Sequence, residues 1–520
     1  MINLLRVLFI SLFSINAFSL TLSFSGGGFR SYTNLWAIHS GLVDIHHKSL
    51  KKVYKNVELV SANSGGSWFS AQFFYSRKFN KIFMSKKKWR KNEYISGLLQ
   101  HLGFDELCNN FAYPYSIICY KAEKLRPLFV AAMIKNGGIF SFNQEAAMID
   151  LIFNKVGIYD ELNNKKLSSP MLPYFKNIDL VFLATIFSSD VYFNSRTFLY
   201  DKKYNLKLKE SFLASNDAYE FFSLPVILGK SITSPLSHFE YQAETRYFRT
   251  IVKHNTALEI PFEISTDINI LTASAISSAA LAGLTSSKVS RYVANLIGFT
   301  EQTSLAMIIN NNAAQFRAFG ENFFEYNSDE DFIFRVGDGA YNDNSSLIAA
   351  ISRIQKKSAY KKKFFSIFLV NTHNNKDLAD MLLKLPLIAK DTLIKRNINN
   401  NILAHSFSYQ HSVGIKTFTP KVFEFDNIKR LSWVKYKDLN LDLLEIDIQT
   451  LDFPLLSIEA GWVGKLYVFS ISSALTSKPL KGMFPFEKST FDSYEDNYIR
   501  IRKAVNEKFK PHLLRIFSNS

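Results

Sequence analysis

The sequence predicts a three-layer α/β/α fold with a mainly parallel sheet, and three observations support it. Apolar runs of strand character alternate with helix-compatible stretches. The residues able to do chemistry sit at the carboxyl ends of those runs, where open α/β sheets place their sites. With 520 residues, 47% of them hydrophobic, the chain is large enough to bury such a core.

Leu20-Thr21-Leu22-Ser23-Phe24 is the first expected strand and leads into Ser25-Gly26-Gly27-Gly28-Phe29-Arg30. Val57-Glu58-Leu59-Val60 is the second and leads into Ala62-Asn63-Ser64-Gly65-Gly66-Ser67-Trp68. Each turn opens a helix, so each offers the free N–H groups of a helix N-terminus. Residues 178–185 read as a returning core strand, and 273–284 as a helix of small residues with Ala275, Ala279 and Gly283 on one face. Phe332 to Val336 reads as a strand ending in Gly337-Asp338-Gly339-Ala340, and Phe364 to Val370 as another. Two short alternating strands, 439–443 and 444–448, and a closing amphipathic helix from Tyr494 to Phe509, ended by Pro511, complete the pattern.

Residues 20–375 are therefore expected to form one catalytic unit, with 376–520 packed on it. Insertions at about 75–175 and 195–260 are candidates for a lid. Residues 1–19 have the layout of a signal peptide: Arg6, an apolar centre from Val7 to Ile15, and Ala17-Phe18-Ser19 as the cleavage site. That predicts a secreted, endomembrane or vacuolar protein. The rival reading is an uncleaved helix packed on the sheet.

The two glycine turns suit acyl transfer. A serine on a strained strand-to-helix turn needs small neighbours, and Ser64 has Gly65 and Gly66 behind it as an elbow. The amides of Gly26, Gly27 and Gly28 can point at a developing oxyanion without side-chain obstruction. Asp338, held on a tight turn, can take the serine proton without a histidine.

Gly-Gly-Gly-x-Arg, then Ser-Gly-Gly-Ser-Trp, then Asp-Gly-Ala, with the small-residue helix before the aspartate, resembles the patatin-like and cytosolic phospholipase A2 families. The resemblance implies a lipid acyl hydrolase, a phospholipase A or lysophospholipase, working through a Ser64/Asp338 dyad and an acyl-enzyme. It also implies that Arg30 holds the substrate phosphate, a task suited to a planar guanidinium fork. Two departures stand out. Ala62 occupies the place of the usual elbow glycine, and about 55 residues separate the small-residue helix from Asp338.

A neutral-lipid esterase or acyltransferase of the same fold, and a catalytically inactive membrane-binding homologue, are the alternatives. His39 reads as packed or exposed rather than catalytic, although a triad with a distant histidine stays open. No metal-ligand spacing or cofactor motif is present, and the glycine triplet lacks the Gly-Lys-Ser/Thr ending of a phosphate loop. Cys108 and Cys119 could be bridged or free. The excess of 62 Lys and Arg over 45 Asp and Glu, a net +17, favours anionic partners. With 48 Phe and 24 Tyr beside that charge, a phospholipid membrane surface is expected rather than nucleic acid, and residues 83–91 combine both features.

Overall fold

The computed structural model describes residues 19–84, 153, 158–187, 223–234, 239–244, 249–252, 262–265, 268–278, 304–309, 332–357, 364–372, 422–451, 456, 458–473 and 488–518. Five strands form the parallel centre of the sheet: β1 (Leu20–Phe24), β2 (Val57–Ala62), β3 (Asp179–Phe187), β11 (Phe364–Asn371) and β14 (Val463–Ser473). They lie in the order β14-β11-β1-β2-β3, each parallel to the next. Antiparallel strands extend both flanks. On one side are β12 (Phe423–Lys435) and β13 (Leu439–Thr450). On the other are β4 (Ser223–Leu228), β5 (Ser231–Ser234), β6 (Phe239–Glu244), β7 (Arg249–Val252), β8 (Phe262–Ser265), β9 (Ser304–Ile309) and β10 (Phe332–Asp338). The fold is α/β, and β4 to β7 place part of the stretch 195–260 within the sheet itself.

Alternation along β1 defines the layers. Phe24 meets His39 of α1 (Gly28–Ile45) and Phe69 of α2 (Gly65–Tyr75). Its neighbour Ser23 points to the opposite face, where its hydroxyl donates to the Ser345 carbonyl just before α4 (Leu347–Lys357). On β11, Phe368 shares the Phe24 face and meets Phe517 of the last helix, α6 (Lys510–Ser518). A short helix, α3 (Ile270–Ile276), packs against α2.

Every residue of α1 except Asp44 is buried, because α5 (Lys488–Ala504) covers the side turned away from the sheet. Arg502 grips Asp44 with two N–H donors at 2.7 and 3.0 Å, and the Tyr498 hydroxyl donates to Ser40 at 3.1 Å. Between α5 and α6 the chain passes through a π turn at Val505–Phe509, and Pro511 lies inside α6. The helix therefore does not stop at Pro511. A proline clashes with the carbonyl four residues earlier, and the widened turn at that point displaces the regular ladder.

Residues 439–450 form one continuous strand instead of two. Leu443 and Leu444 interrupt the period of two, yet both are fully buried, because this part of the sheet is covered on both faces.

Gly41 of α1 is the close-approach point for the π turn: a Cβ there would lie 2.5 Å from Val505 Cγ1. Gly41→Leu is expected to lower the unfolding free energy by about 1–3 kcal/mol despite its better helix propensity. A shift of the urea midpoint at unchanged slope is the measurement. An unshifted midpoint would contradict the contact.

Candidate active site

The site is built by two strands that run head-on along one edge of β3. Phe182 pairs with Ala62 of β2 and also with Leu228 of β4, so β2 and β4 flank opposite edges. Residues 184–187 pair with both β10 and β4, which puts β10 on the β2 edge. β2 ends at Ala62 opposite Phe182, and β10 arrives from the other direction, ending at Asp338 opposite Ala184. The gap between them is one residue of β3 wide. Into it the chain delivers Ser64 from one side and Asp338 from the other.

Gly339 has to be glycine here. A Cβ on it would lie 2.5 Å from the Leu183 carbonyl and 2.7 Å from Asn63 Oδ1. The same Leu183 carbonyl accepts the Ser277 hydroxyl at 2.7 Å, so the strand group at the gap is satisfied by α3's trailing turn.

Ser64 sits at φ +49°, ψ −123°, a backbone conformation that costs a serine about 1–3 kcal/mol. The surroundings hold it there. Its N–H donates to Ser277 at 3.1 Å to the carbonyl and 3.2 Å to the hydroxyl. Its carbonyl accepts from Ser67 Oγ at 2.6 Å, and α3 reaches the same hydroxyl through Ser274. Gly65 presses on the first glycine turn so closely that a Cβ would fall 2.0 Å from the Gly28 carbonyl. Ala62, in the usual glycine position, is simply the last residue of β2 and is fully buried.

Of the three triplet amides, Gly26 is not a free donor: its N–H is given to the Asn344 carbonyl at 2.8 Å. This corrects its expected place in the oxyanion hole. Gly26 instead supplies space, since a Cβ there would lie 3.0 Å from Ser64 Cβ. Among the described residues, the N–H groups of Gly27, Gly28 and Gly65 donate to no acceptor. Gly27 at φ +134° and Gly28 at φ +58° occupy conformations that favour glycine.

Asp338 is 1% exposed, and burial raises its pKa to about 7. The Ala340 N–H, 2.9 Å from Oδ1, opposes that rise, as do the Ser64 hydroxyl and the Asn63 carboxamide on the same carboxyl group. Neither of those side chains makes a well-aligned hydrogen bond to it, and Oδ2 has no bonded partner. Such contacts commonly tighten only when substrate is bound. The carboxyl is thus poised to gain or lose a proton near neutrality.

His39 has no part in this arrangement. It lies among Phe24, Tyr54, Phe69 and Phe73, bonded to the Tyr54 hydroxyl, and burial lowers its pKa to about 3.

Arg30, two residues into α1, is 6% exposed, and its guanidinium lies against Gly27, where a Cβ would be 3.0 Å from Nη2. Burial lowers its pKa to about 10, so it keeps its charge, and the Tyr494 phenol of α5 lies close to it. Its Nε has no bonded partner, and no carboxylate pairs with it among the described residues.

Sequence reasoning missed the residues that hold these groups: Asn63, Ser274, Ser277, Asn344 and Thr372. Asn63 was adjacent to the serine, and Ser274 and Ser277 lay within the small-residue helix. The structure describes that helix over Ile270–Ile276 with its turn to residue 278; Ala279 and Gly283 fall outside the described residues, as do Cys108, Cys119 and residues 1–18. No group of His, Cys, Asp or Glu able to hold a metal occurs among the described residues, and no described helix is long and apolar enough to cross a membrane.

No protein-family model and no curated protein sequence matches this chain. Among solved structures there is a likeness to human GIVD cytosolic phospholipase A2, with a TM-score of 0.35 and 11% sequence identity. It covers 97% of this chain, which spans 60% of that one.

Two outcomes follow from the buried carboxyl. Chemistry that needs ionised Asp338 should rise with pH through an apparent pKa near 7, read from kcat/KM on a soluble ester. Stability moves the other way. Above its ordinary value of 3.8 the unfolded carboxyl releases its proton while the folded one keeps it up to about 7, so the wild type loses stability across that window. Asp338→Asn carries no such penalty. Its melting temperature should match wild type near pH 4 and exceed it by a growing margin up to about pH 7. A constant difference across that range would show that the carboxyl is not buried as described.

Proposed function

We propose that this protein is a serine-dependent lipid acyl hydrolase, a phospholipase A or lysophospholipase with a Ser64/Asp338 dyad. The observation that carries the reading is the strained backbone of Ser64 placed head-on against a buried carboxyl whose pKa is close to 7. Strain of this kind persists only where the surroundings enforce it.

In the reaction, Asp338 takes the Ser64 proton as Oγ attacks the ester carbonyl carbon. The negative charge that forms on the carbonyl oxygen is received by the unused amides of Gly27 and Gly28. Collapse of the tetrahedral species expels the alcohol, which takes the proton back from Asp338. Water then attacks the acyl-enzyme, again giving its proton to Asp338, and Ser64 is restored as the fatty acid leaves. Arg30 supports a phosphate-bearing substrate, because its buried charge is otherwise unneutralised. The net charge of +17 supports work at an anionic lipid surface. The signal-like residues 1–19 support export or entry to the endomembrane system.

Ser64→Ala should lower ester hydrolysis by a factor on the order of 10⁴ or more, with its melting temperature held or raised as backbone strain allows. It should also lose labelling by a fluorophosphonate that marks the wild type. Turnover surviving in this variant would refute the dyad.

Arg30→Lys tests the substrate class. A point charge cannot reproduce the bidentate fork, so the kcat/KM for a phospholipid should fall at least about tenfold relative to that for an uncharged nitrophenyl ester. An unchanged ratio would remove the phosphate role and favour a general lipid esterase. Product analysis with glycerolipids and acceptor alcohols separates hydrolysis from acyl transfer.

A further inference from the structure

An oxyanion donor is effective only if the peptide that carries it keeps its orientation as charge develops. The Gly26 carbonyl and the Gly27 N–H belong to one planar trans unit and point in opposite directions. Neither flanking residue has a side chain to restrain rotation of that plane. Whatever holds the Gly26 oxygen therefore aims the Gly27 N–H.

That group is Thr372, the residue immediately after β11. Its Oγ1 lies 3.0 Å from the Gly26 carbonyl oxygen. The Thr372 N–H donates to Ser25 Oγ at 2.9 Å, and the two hydroxyls are 3.2 Å apart. Only one arrangement of protons satisfies the set. A backbone N–H must donate and a carbonyl must accept, so Ser25 gives its proton to Thr372 and Thr372 gives its own to Gly26. The two hydroxyl bonds then run in one direction and polarise each other. Thr372 and Ser25 are fully buried, so water does not compete for either hydroxyl. The loop itself is tied down separately, by the Gly26 N–H to Asn344 and by Ser31 Oγ, 2.6 Å from the Ser25 carbonyl. The Thr372 hydroxyl is thus left with the narrower task of setting the peptide plane.

We propose that Thr372 is a positioning residue of the oxyanion hole, its hydroxyl bond to the Gly26 carbonyl aiming the Gly27 N–H at the developing charge. The inference rests on the reading of Ser64 and Asp338 given above.

Thr372→Val removes the hydroxyl at nearly constant volume, and Thr372→Ser restores it. On a short-chain nitrophenyl ester, the valine variant should lose on the order of 10-fold to 100-fold in kcat, with KM changed by less than about twofold. The serine variant should keep most of the wild-type kcat. Affinity for a trifluoromethyl ketone, which forms a tetrahedral adduct with the serine, should fall in step with kcat. Affinity for the matching unreactive amide should not. If the valine variant does not fold, Thr372→Cys, a weak donor of similar size, takes its place with the same expected split.

A merely structural threonine predicts that both inhibitors weaken together, with KM rising; that result, or an unchanged kcat, overturns the proposal. Ser64→Ala is run alongside. If it retains turnover, the reading of the site has failed; if it is inactive while Thr372→Val is fully active, only the role of Thr372 has.

Discussion

Everything at this site depends on two strands of opposite direction sharing one edge of β3. β2 stops opposite Phe182 and β10 stops opposite Ala184, so a serine leaving one and an aspartate ending the other are forced together although 274 positions separate them. A purely parallel arrangement would bring both ends to the same rim but on different strand spacings, about 4.8 Å or more apart sideways. Head-on approach removes that spacing. Its requirement is a gap with almost no free volume, met by Gly339 against the Leu183 carbonyl and by the Ser277 hydroxyl on that same oxygen.

Such a gap would be unstable if its polar groups lacked partners, and most of them have one. Ser23 and Ser61 bond to the carbonyls of Ser345 and Ser346, Ser67 to that of Ser64, and Ser25 to Thr372. Small hydroxyls suit this work because each can donate and accept within the space of two atoms. Asp338 Oδ2 and Arg30 Nε are among the buried atoms without a hydrogen-bond partner.

Much of this was legible in the sequence, and the reason is local chemistry. A glycine triplet after an apolar run, a serine before two glycines, and an Asp-Gly pair each announce a backbone position that few residues can occupy. Four of the five central strands were legible too, since buried parallel strands are short unbroken apolar runs; β14 was not, because Gly464, Lys465 and its serines break the apolar run. What escaped notice depends on distance in space. That Gly26 gives its N–H to Asn344 cannot be read from either segment alone, because 318 positions lie between them. Thr372 is an ordinary residue at the end of a strand until the glycine loop is packed beside it. The run past Pro511 failed for a different reason: a proline ends a regular helix, and only the π turn at Val505–Phe509 makes it tolerable.

The chain's distal helices give this arrangement its rigidity. α1 presents Gly28 and Arg30 at its first turn, and an 18-residue helix pivoting on its C-terminal end would move those groups by about 1–2 Å for a few degrees of tilt. Asp44 near that far end is clamped by Arg502, Ser40 by Tyr498, and Gly41 by the π turn. Tyr494, one turn before Tyr498, reaches the other end of α1 beside Arg30. The same α5 that fixes the tilt of α1 thus also faces its cation. Residues after 488 therefore belong to the geometry of the proposed site, whose groups lie in the first 70 residues and at Asp338. In the proposed reaction, rigid placement at both ends of α1 would let backbone amides, which have no side chain to adjust, serve as fixed electrostatic partners.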